Sequence, residues 1–257
     1  MDDKWKPDQY ERFAAQRRLP FDDLLAMVRP APGGRAVDLG CGTGELTSEL
    51  HGHLKTAETI GLDSSPAMIE RSAPFAGAGL RFELRDIAAF PAPGEAYDVV
   101  FTNAALQWVT EHDGLLRRIA GALVPGGQLA VQVPANFDHP SHAIAADVGR
   151  EFGAVPAHTA TNVLAPETYA SMLHALGFAE QRVRLKVYGH PITTGEVIEW
   201  VKGTLLTDYE RQLRDDQFAA FLAEFRLRLL AALGDPSGSQ PYFYAFKRIL
   251  FWARLAA

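Results

Sequence analysis

The chain has 257 residues, of which 47% are hydrophobic and 22% are charged, and its formal net charge is -6 at pH 7. These proportions are those of an ordinary soluble enzyme, and the length suits one large domain or a core with a cap. The negative charge disfavours non-specific binding to phosphate backbones, and no apolar run reaches the roughly 20 residues needed to cross a bilayer.

Short apolar runs alternate with segments of helical periodicity in the first half of the chain, which is typical of a parallel α/β sheet. The pattern predicts strands near 35–39, 58–62, 80–84, 97–102 and 127–133, with helices near 44–53, 66–74 and 112–123. The run Pro125-Gly126-Gly127 is expected to end the last of these helices and to turn into the fifth strand.

The pattern changes after Pro134. It predicts a helix over 166–176, a strand over 178–189, two or three helices within 195–233, and a terminal strand over 242–255. We expect residues 135–165 and 195–240 to form helical cap segments. The fold class is therefore α/β, a Rossmann-like, seven-stranded, mostly parallel sheet with helices on both faces and a helical cap.

An acid and three alternating glycines follow the first predicted strand, at residues 38–44 (DLGCGTG). Alternating glycines allow a sharp turn and leave room for a ligand against the main chain. The dinucleotide pattern would place its third small residue at position 45, which is Glu45 here, so the spacing indicates another nucleoside cofactor. The acid before the turn suits a cationic group on that cofactor. We predict cofactor contacts at Asp38, Gly40, Cys41 and Gly42.

A second acid, Asp63, ends the next predicted strand, about 20 residues after the glycines, where ribose hydroxyls are commonly held. Its two oxygens suit two hydroxyl protons. Pro66 begins the next helix, and Met68 on its first turn is placed to cover a flat base. The alternative is that Asp63 or Ser64 caps this helix, and the two roles are compatible. We predict cofactor contacts at Asp63, Ser64 and Met68.

The third and fourth predicted strands end in further candidates. Asp86 is placed to accept the adenine amino group and Ile87 to cover the ring, the alternative being a capping aspartate in a loop. Asn103, Ala104 and Trp108 follow the fourth strand, and Trp108 is equally suited to core packing. Parallel strands all end at one edge of the sheet, where open α/β folds bind ligands.

These motifs resemble those of class I S-adenosylmethionine-dependent methyltransferases, and over nearly the whole chain they are similar to the trans-aconitate 2-methyltransferase family. The resemblance rests on the glycine loop, on the runs Asp-Ser-Ser-Pro and Asn-Ala-Ala-Leu-Gln-Trp, and on the stretches 5–13, 17–25, 131–137, 198–201 and 245–253. It implies S-adenosylmethionine as cofactor and a methyl ester formed on a small tricarboxylate. We accordingly expect one methyltransferase domain over residues 1–257, with its cofactor-binding half in residues 1–134.

Two positions depart from the family pattern. The family often has Arg-x-Arg-Pro near the N-terminus, where this chain has Arg17-Arg18-Leu19-Pro20. It often has proline before an arginine near the C-terminus, where this chain has Lys247-Arg248. Both positions are expected to contact the substrate, so the resemblance bears more directly on the chemistry than on the acceptor.

Binding a small polyanion calls for arginine forks, hydroxyl donors and amide donors. The N-terminal segment is predicted to be a helix that contacts the substrate or the cofactor. The alternative is a helix on the protein surface that contacts neither. Trp200 suits a pocket wall or core packing equally. The predicted substrate contacts are Tyr10, Arg17, Arg18, Gln132, Asn136, Trp200, Tyr242 and Arg248.

Esterifying a carboxylate by a sulfonium methyl group needs no general base, because carboxyl groups titrate near pH 4 and are ionised at neutral pH. We therefore predict no catalytic acid or base and no metal. His139 and His142 have no third metal ligand at a suitable spacing and are interpreted as loop or helix-cap residues. Cys41, the single cysteine, has no neighbouring base and is interpreted as a packing residue. The absence of disulfides and of a signal-like N-terminus predicts a cytoplasmic protein.

Four other functions compete with this hypothesis. One is methylation of a different acceptor, for example a thioester-bound malonyl group. Another is a regulatory role in which the chain binds the cofactor without turnover. A nucleic-acid methyltransferase is disfavoured because residues 103–106 lack the Asn/Asp-Pro-Pro-aromatic turn. A nicotinamide dehydrogenase is disfavoured by the glycine spacing. We expect a small anionic substrate and neither nucleic acid nor membrane as partner.

Overall fold

The computed structural model of the chain describes residues 14–155, 162–203 and 205–257, with side chains from residue 18 onward. The chain divides into two compact units. The first, the sheet unit, comprises Arg18–Pro134, Asn162–Lys186 and Arg248–Ala257. The second, the helical unit, is built mainly from Ala135–Thr161 and Val187–Lys247. In the described part of the chain, no helix is both long and apolar enough to cross a membrane.

Within the described residues, seven strands form one sheet in the order β3-β2-β1-β4-β5-β7-β6. They are β1 (Arg35–Leu39), β2 (Glu58–Asp63), β3 (Leu80–Leu84), β4 (Tyr97–Asn103), β5 (Leu123–Pro134), β6 (Phe178–Thr193) and β7 (Pro241–Leu255). Strands β3, β2, β1, β4 and β5 pair in parallel, and β7 pairs with β5 in the antiparallel sense. The predicted seven-stranded, mostly parallel sheet is confirmed.

The helices alternate with the strands as the periodicity predicts. In the sheet unit they are α2 (Glu45–Leu54), α3 (Pro66–Ser72), α4 (His112–Ala122) and α6 (Pro166–Ala175), and α1 (Ala14–Leu25) enters this unit at Arg18. In the helical unit they are α5 (Pro140–Glu151), α7 (Thr194–Lys202), α8 (Thr207–Gln212) and α9 (Asp215–Ala232).

Strand β5 begins earlier than predicted. It starts at Leu123, directly after α4, and Leu123 pairs with Tyr97. The register then shifts, so that the next pair is Val99 with Gln128. This irregularity accommodates Pro125, which has no N–H to donate to a regular ladder. The expectation that residues 125–127 end the helix and turn into the strand is therefore wrong, because the helix ends at Ala122 and these residues lie within β5.

The core of the sheet unit explains why its strands are nearly continuous apolar runs. Parallel strands covered on both faces are buried throughout, and four of the five residues of β1 are buried. On one face, α1 contributes Phe21 and Leu24, both fully buried. The rings of Phe21 and Phe101 pack edge to face with their centroids 5.7 Å apart.

One polar side chain lies inside this core and joins three elements. Gln128 is 5% exposed, and its amide exchanges two hydrogen bonds of 2.9 Å with the backbone N–H and C=O of Arg29, just after α1. Its Oε1 also accepts the indole N–H of Trp252 on β7 at 2.9 Å. Gln128 therefore satisfies the buried indole donor of Trp252 and the backbone N–H and C=O of Arg29, which no apolar residue could pair.

We expect Gln128→Leu to lower the free energy of unfolding by about 3 kcal/mol, because each buried group left unpaired costs about 1–3 kcal/mol. Urea denaturation measures this change. The matched control is Gln181→Leu at an exposed position of β6, which should change stability by less than about 0.5 kcal/mol. Equal stability of the two variants would contradict the proposed joining role of Gln128.

The helical unit has its own aromatic core. Trp200 on α7 and Phe221 and Phe225 on α9 are buried, and they pack with Tyr209 on α8. The rings of Tyr209 and Phe221 stack with centroids 4.8 Å apart. The large apolar residues of α9 thus recur at helical spacing and lie on the face of the helix that contacts this core, as helical periodicity predicts.

Candidate active site

The glycine loop after β1 combines one tightly packed glycine with one open glycine. Gly40 and Gly42 have φ angles of 80° and 55°, a region that favours glycine. A Cβ at Gly40 would lie 2.3 Å from the Cβ of Ala105, so a side chain there has no room. A Cβ at Gly42 would meet nothing within 4 Å. The open side of Gly42 is where a ligand can approach the main chain.

Asp63 at the end of β2 connects this loop to the next helix. Its Oδ2 accepts the backbone N–H of Gly42 at 2.9 Å, and its Oδ1 accepts that of Ser65 at 2.9 Å. The loop is also held by Leu62, whose carbonyl accepts the N–H groups of Gly40 and Cys41 at 2.8 and 2.9 Å. A carboxylate has about four acceptor positions, and ribose binding by Asp63 stays a prediction.

The N-cap of α3 is Ser65. Its backbone is extended, and its hydroxyl accepts the N–H of Met68 at 3.3 Å. The expectation that Asp63 or Ser64 caps this helix is wrong, because Asp63 binds the N–H of Ser65 one step earlier. Ser64 is exposed and Met68 is buried, and the cofactor contacts of both stay predictions.

The loop after β4 contains a strained residue. Ala104 has a φ of 55°, which is unusual for a residue with a side chain. Its N–H donates to the carbonyl of Gln132 at 2.9 Å, and its carbonyl accepts the side-chain amide of Gln107 at 2.7 Å. These bonds hold the strained conformation. Trp108 follows in a short 3₁₀ turn (Leu106–Trp108) and is 37% exposed, so it is not a fully buried core residue.

His112 fixes this loop, and sequence reasoning missed it. The residue is 3% exposed; its Nε2 lies 2.8 Å from the carbonyl of Leu106, and its Nδ1 lies 2.7 Å from the Tyr169 hydroxyl. A carbonyl only accepts, so Nε2 carries the proton and Nδ1 accepts from Tyr169. Burial lowers the pKa of His112, which favours this neutral form. A lone histidine at a helix start gives no signal by which sequence reasoning could find this role.

Three buried polar atoms lie near the carboxyl ends of β4 and β5. The Thr102 hydroxyl, Asn103 Oδ1 and Gln132 Nε2 have no hydrogen-bond partner among the described residues. The register places Asn103 beside Gln132. Buried polar atoms are nearly always paired in folded proteins, so these atoms fit a polar ligand. The structure thus brings together a predicted cofactor residue and a predicted substrate residue.

Asp38 at the end of β1 is 4% exposed and accepts the hydroxyl proton of Thr47 at 2.7 Å. Burial raises the pKa of Asp38 to about 7; the Thr47 bond opposes this rise, and the nearby charge of Asp63 adds to it. A buried carboxylate without a cationic partner is unfavourable, so a cationic ligand would favour its ionised form. This fits the predicted contact of Asp38 with a positively charged cofactor group.

The other predicted cofactor residues differ in their surroundings. Ile87 lies against the glycine loop, with its Cδ1 3.5 Å from the position of a Cβ on Gly40. Asp86 is exposed and accepts the N–H of Ala88 at 2.8 Å, so the capping alternative is observed and adenine binding stays a prediction. Burial raises the pKa of the Cys41 thiol, which agrees with the packing interpretation.

Two predicted arginines lie in the sheet unit. Arg18 is partly exposed and forms ion pairs with Glu49 and with Asp22, the latter at 3.4 Å. Arg248 is 7% exposed, on β7 opposite Pro134 of β5. Tyr10 and the side chain of Arg17 lie outside the described residues.

The remaining predicted substrate residues belong to the helical unit. Trp200 is 1% exposed, with its ring 4.9 Å from that of His190, so core packing describes its surroundings. Asn136 is 2% exposed; its Nδ2 donates to the Tyr244 hydroxyl at 3.0 Å and its Oδ1 accepts the N–H of Lys247 at 3.2 Å. The structure therefore gives the Asn136 amide partners on β7. Substrate contacts for both residues stay predictions.

Comparison with known proteins identifies the family. A methyltransferase-domain model matches residues 36–127, the segment that contains the glycine loop, Asp63 and the loop after β4. Trans-aconitate 2-methyltransferase of Deinococcus radiodurans is 41% identical to this chain over 97% of both sequences. That of Paracidovorax citrulli is 36% identical over 98% of this chain and 99% of its own length. The chain belongs to the trans-aconitate 2-methyltransferase family.

Two solved structures show the same fold. The YcgJ protein from Bacillus subtilis aligns with a TM-score of 0.64 at 16% identity, over 93% of this chain and 99% of its own. Phosphoethanolamine N-methyltransferase 2 of Haemonchus contortus, crystallised with S-adenosylhomocysteine, aligns with a TM-score of 0.59 at 16% identity, over 93% of this chain and 53% of its own. The family is one of class I S-adenosylmethionine-dependent methyltransferases, as the sequence motifs predict.

We expect Asp63→Ala to raise the Kd for S-adenosylmethionine at least 100-fold, because two hydrogen bonds to a charged group contribute about 1.5–3 kcal/mol each. Isothermal titration calorimetry measures this. Asp113→Ala, on the exposed face of α4, is the matched control and should leave the Kd within twofold. An unchanged Kd for Asp63→Ala would remove this residue from the cofactor site.

We expect the affinity for S-adenosylmethionine to rise about tenfold between pH 5.5 and 7.0. Asp38 is largely protonated well below its pKa of about 7, and a cationic ligand binds the ionised form. Calorimetry at several pH values measures this dependence. In Asp38→Asn the affinity should be lower and nearly flat over the same range; an unchanged slope in the variant would assign the dependence to another group.

Proposed function

We propose that this chain transfers the methyl group of S-adenosylmethionine to one carboxylate of trans-aconitate, giving a monomethyl ester. The observation that carries the proposal is the nearly full-length similarity to trans-aconitate 2-methyltransferases, together with the Asp63-anchored glycine loop. The similarity extends past the methyltransferase-domain match at residues 36–127, so it includes segments outside the shared cofactor fold.

The reaction needs positioning more than acid–base chemistry. S-adenosylmethionine, when bound, supplies an electrophilic methyl group on a positively charged sulfur. A carboxylate oxygen of the acceptor forms the new O–CH₃ bond as the CH₃–S bond breaks, and the electron pair of the broken bond stays on sulfur. The acceptor is already ionised near neutral pH, so no proton is transferred. The rate gain comes from holding the two reactants in line, about 3 Å apart.

In the proposed mechanism, different residues of the sheet unit bind different parts of the cofactor and the acceptor. Asp63 and the open face of Gly42 hold the ribose, and Asp38 in its ionised form binds a cationic group of the cofactor. Asn103 and Gln132 offer a buried acceptor and a buried donor to polar ligand groups. Their positions matter, because a displacement of about 1 Å in the binding geometry strongly lowers the rate of catalysis.

The proposed acceptor contact in this unit is Arg248. It is nearly fully buried, and a guanidinium matches a carboxylate with two parallel hydrogen bonds. A polycarboxylate with several such groups suits a site built from a few local cations in a chain of net negative charge. A small anionic acceptor, rather than nucleic acid, follows from the same charge balance. A cytoplasmic location stays a prediction from the cysteine content.

The proposal is tested by incubating the protein with methyl-labelled S-adenosylmethionine and a panel of acids, and by mass spectrometry of the products. We expect one labelled methyl group on trans-aconitate, and none with Asp63→Ala at a cofactor concentration well below its raised Kd. Labelling only of another acceptor, such as a malonyl thioester, would overturn the substrate. Cofactor binding without any product would indicate a regulatory protein.

We expect Arg248→Gln to raise the KM for trans-aconitate about 10- to 100-fold, since a hydrogen bond to a charged group contributes about 1.5–3 kcal/mol. The Kd for S-adenosylmethionine should stay within about twofold. Arg117→Gln, an exposed arginine on α4, is the matched control and should change neither constant. Small and equal changes in both constants for Arg248→Gln would remove it from the acceptor site.

A further inference from the structure

The order of the strands indicates where a ligand binds in the sheet unit. From β1 the chain adds β2 and β3 on one side and then β4 on the other, so the direction of the order reverses between β1 and β4. Open α/β sheets bind ligands in the crevice at this point, outside the carboxyl ends of the strands. The glycine loop and the loop after β4, residues 104–109, follow these two ends, and Gly40 lies against Ala105 there. The conformation of the loop after β4 therefore bears on cofactor binding.

Two consecutive carbonyls of this loop accept hydrogen bonds from side chains outside it. The carbonyl of Leu106 accepts the Nε2–H of His112 at 2.8 Å, and that of Gln107 accepts the Nδ2–H of Asn162 at 3.2 Å. His112 begins α4 and Asn162 lies shortly before α6, and both side chains are buried. A strained backbone such as that of Ala104 persists only where its surroundings hold it. His112 and Asn162 belong to these surroundings.

Tyr169 on α6 orients the His112 ring. Because His112 carries its proton on Nε2, its Nδ1 accepts the Tyr169 hydroxyl proton, and the two atoms are 2.7 Å apart. The Tyr169 oxygen accepts the N–H of Leu164 at 3.2 Å. Burial raises the pKa of Tyr169 to about 12, and the Leu164 bond opposes this rise, so the hydroxyl keeps its proton at neutral pH. The bonds form one chain of donors from Leu164 to Leu106, in which each bond strengthens the next.

We propose that His112 and Asn162 are positioning residues for S-adenosylmethionine, which hold the loop after β4 in the conformation that binds the cofactor, and that Tyr169 orients His112 for this role. None of the three needs to touch the cofactor. Apparent affinity is proportional to the fraction of the protein in the binding conformation, so bonds that hold this conformation raise the affinity. This role concerns the cofactor, so it goes beyond the proposed function and does not depend on which acid is methylated.

Two substitutions at His112 separate its bond to the loop from its bond to Tyr169. The amide nitrogen of glutamine takes about the place of Nε2, so His112→Gln can still donate to the Leu106 carbonyl. The side-chain oxygen of asparagine takes about the place of Nδ1, so His112→Asn can still accept from Tyr169 but is too short to reach Leu106. Asn162→Leu removes the second bond to the loop at a similar side-chain size. It tests the same role at a position outside the helices.

We measure the Kd of S-adenosylmethionine by calorimetry, and hydrogen exchange of the Trp108 and Val109 amides, which close the turn of this loop, in the free protein. His112→Asn and Asn162→Leu should each speed this exchange about fivefold, the effect of losing one neutral hydrogen bond. Each should raise the Kd about threefold, as the binding-competent fraction of the loop falls. His112→Gln should match the wild type in both. Adding Tyr169→Phe to His112→Asn should change neither further, because the tyrosine acts only through the bond of His112 to the loop.

The control for a general loss of stability is Gln128→Leu, because Gln128 pairs with Val99, before the end of β4, and does not contact the loop by a hydrogen bond. Tyr97→Phe changes a fully buried tyrosine at the first residue of β4. Both controls should match the wild type in Kd and in exchange. Three results would overturn this inference: a wild-type Kd in either His112→Asn or Asn162→Leu, an equal loss in His112→Gln and His112→Asn, or a loss of affinity in Gln128→Leu as large as theirs. If His112→Asn does not fold, Asn162→Leu alone decides.

Discussion

The two hydrogen bonds of the Asp63 carboxylate set the geometry on which the cofactor site depends. They connect the loop after β1, through the N–H of Gly42, to the start of α3, through the N–H of Ser65. The same side chain is also the proposed ribose ligand. Binding and loop support thus share one carboxylate, and an Asp63 variant loses both together. The calorimetric effect of such a variant therefore measures this combined role.

A second contact couples the glycine loop to the loop after β4. Gly40 lies so close to Ala105 that neither position can take a larger side chain without moving the other loop. Ala104, beside this contact, keeps its strained backbone because the Gln132 carbonyl and the Gln107 amide hold it. Strain of this kind is stable only where the surroundings determine the conformation. The position of each loop therefore depends on that of the other.

Much of this arrangement follows from sequence, because it is encoded locally. Apolar runs and helical periodicity predict the strands and helices. The spacing between Asp63 and the glycine loop predicts Asp63 as the ribose ligand. Other features depend on partners distant in sequence. The register shift that starts β5 at Leu123 depends on pairing with Tyr97, and the His112 tautomer depends on Tyr169.

The same reason explains what sequence left undecided about side chains. The sequence offered Asp63 or Ser64 as N-cap of α3, whereas Ser65 caps the helix and the Asp63 carboxylate binds the Ser65 N–H. Trp200 suited a pocket wall or a core equally, and only the packing of the surrounding helices shows its burial. The proton position on His139 depends on Ser141 and Tyr242, which are 101 residues apart in sequence and meet only in the fold.

Cys41 gives the molecule a chemical reporter at this edge. It is the single cysteine of the chain, it lies between Gly40 and Gly42, and its side chain is 8% exposed. An alkylating reagent reaches a sulfur so shielded only when the surrounding backbone opens, and burial also disfavours the reactive thiolate. The alkylation rate of this one sulfur atom therefore reports how often the glycine loop opens locally, without any label being introduced.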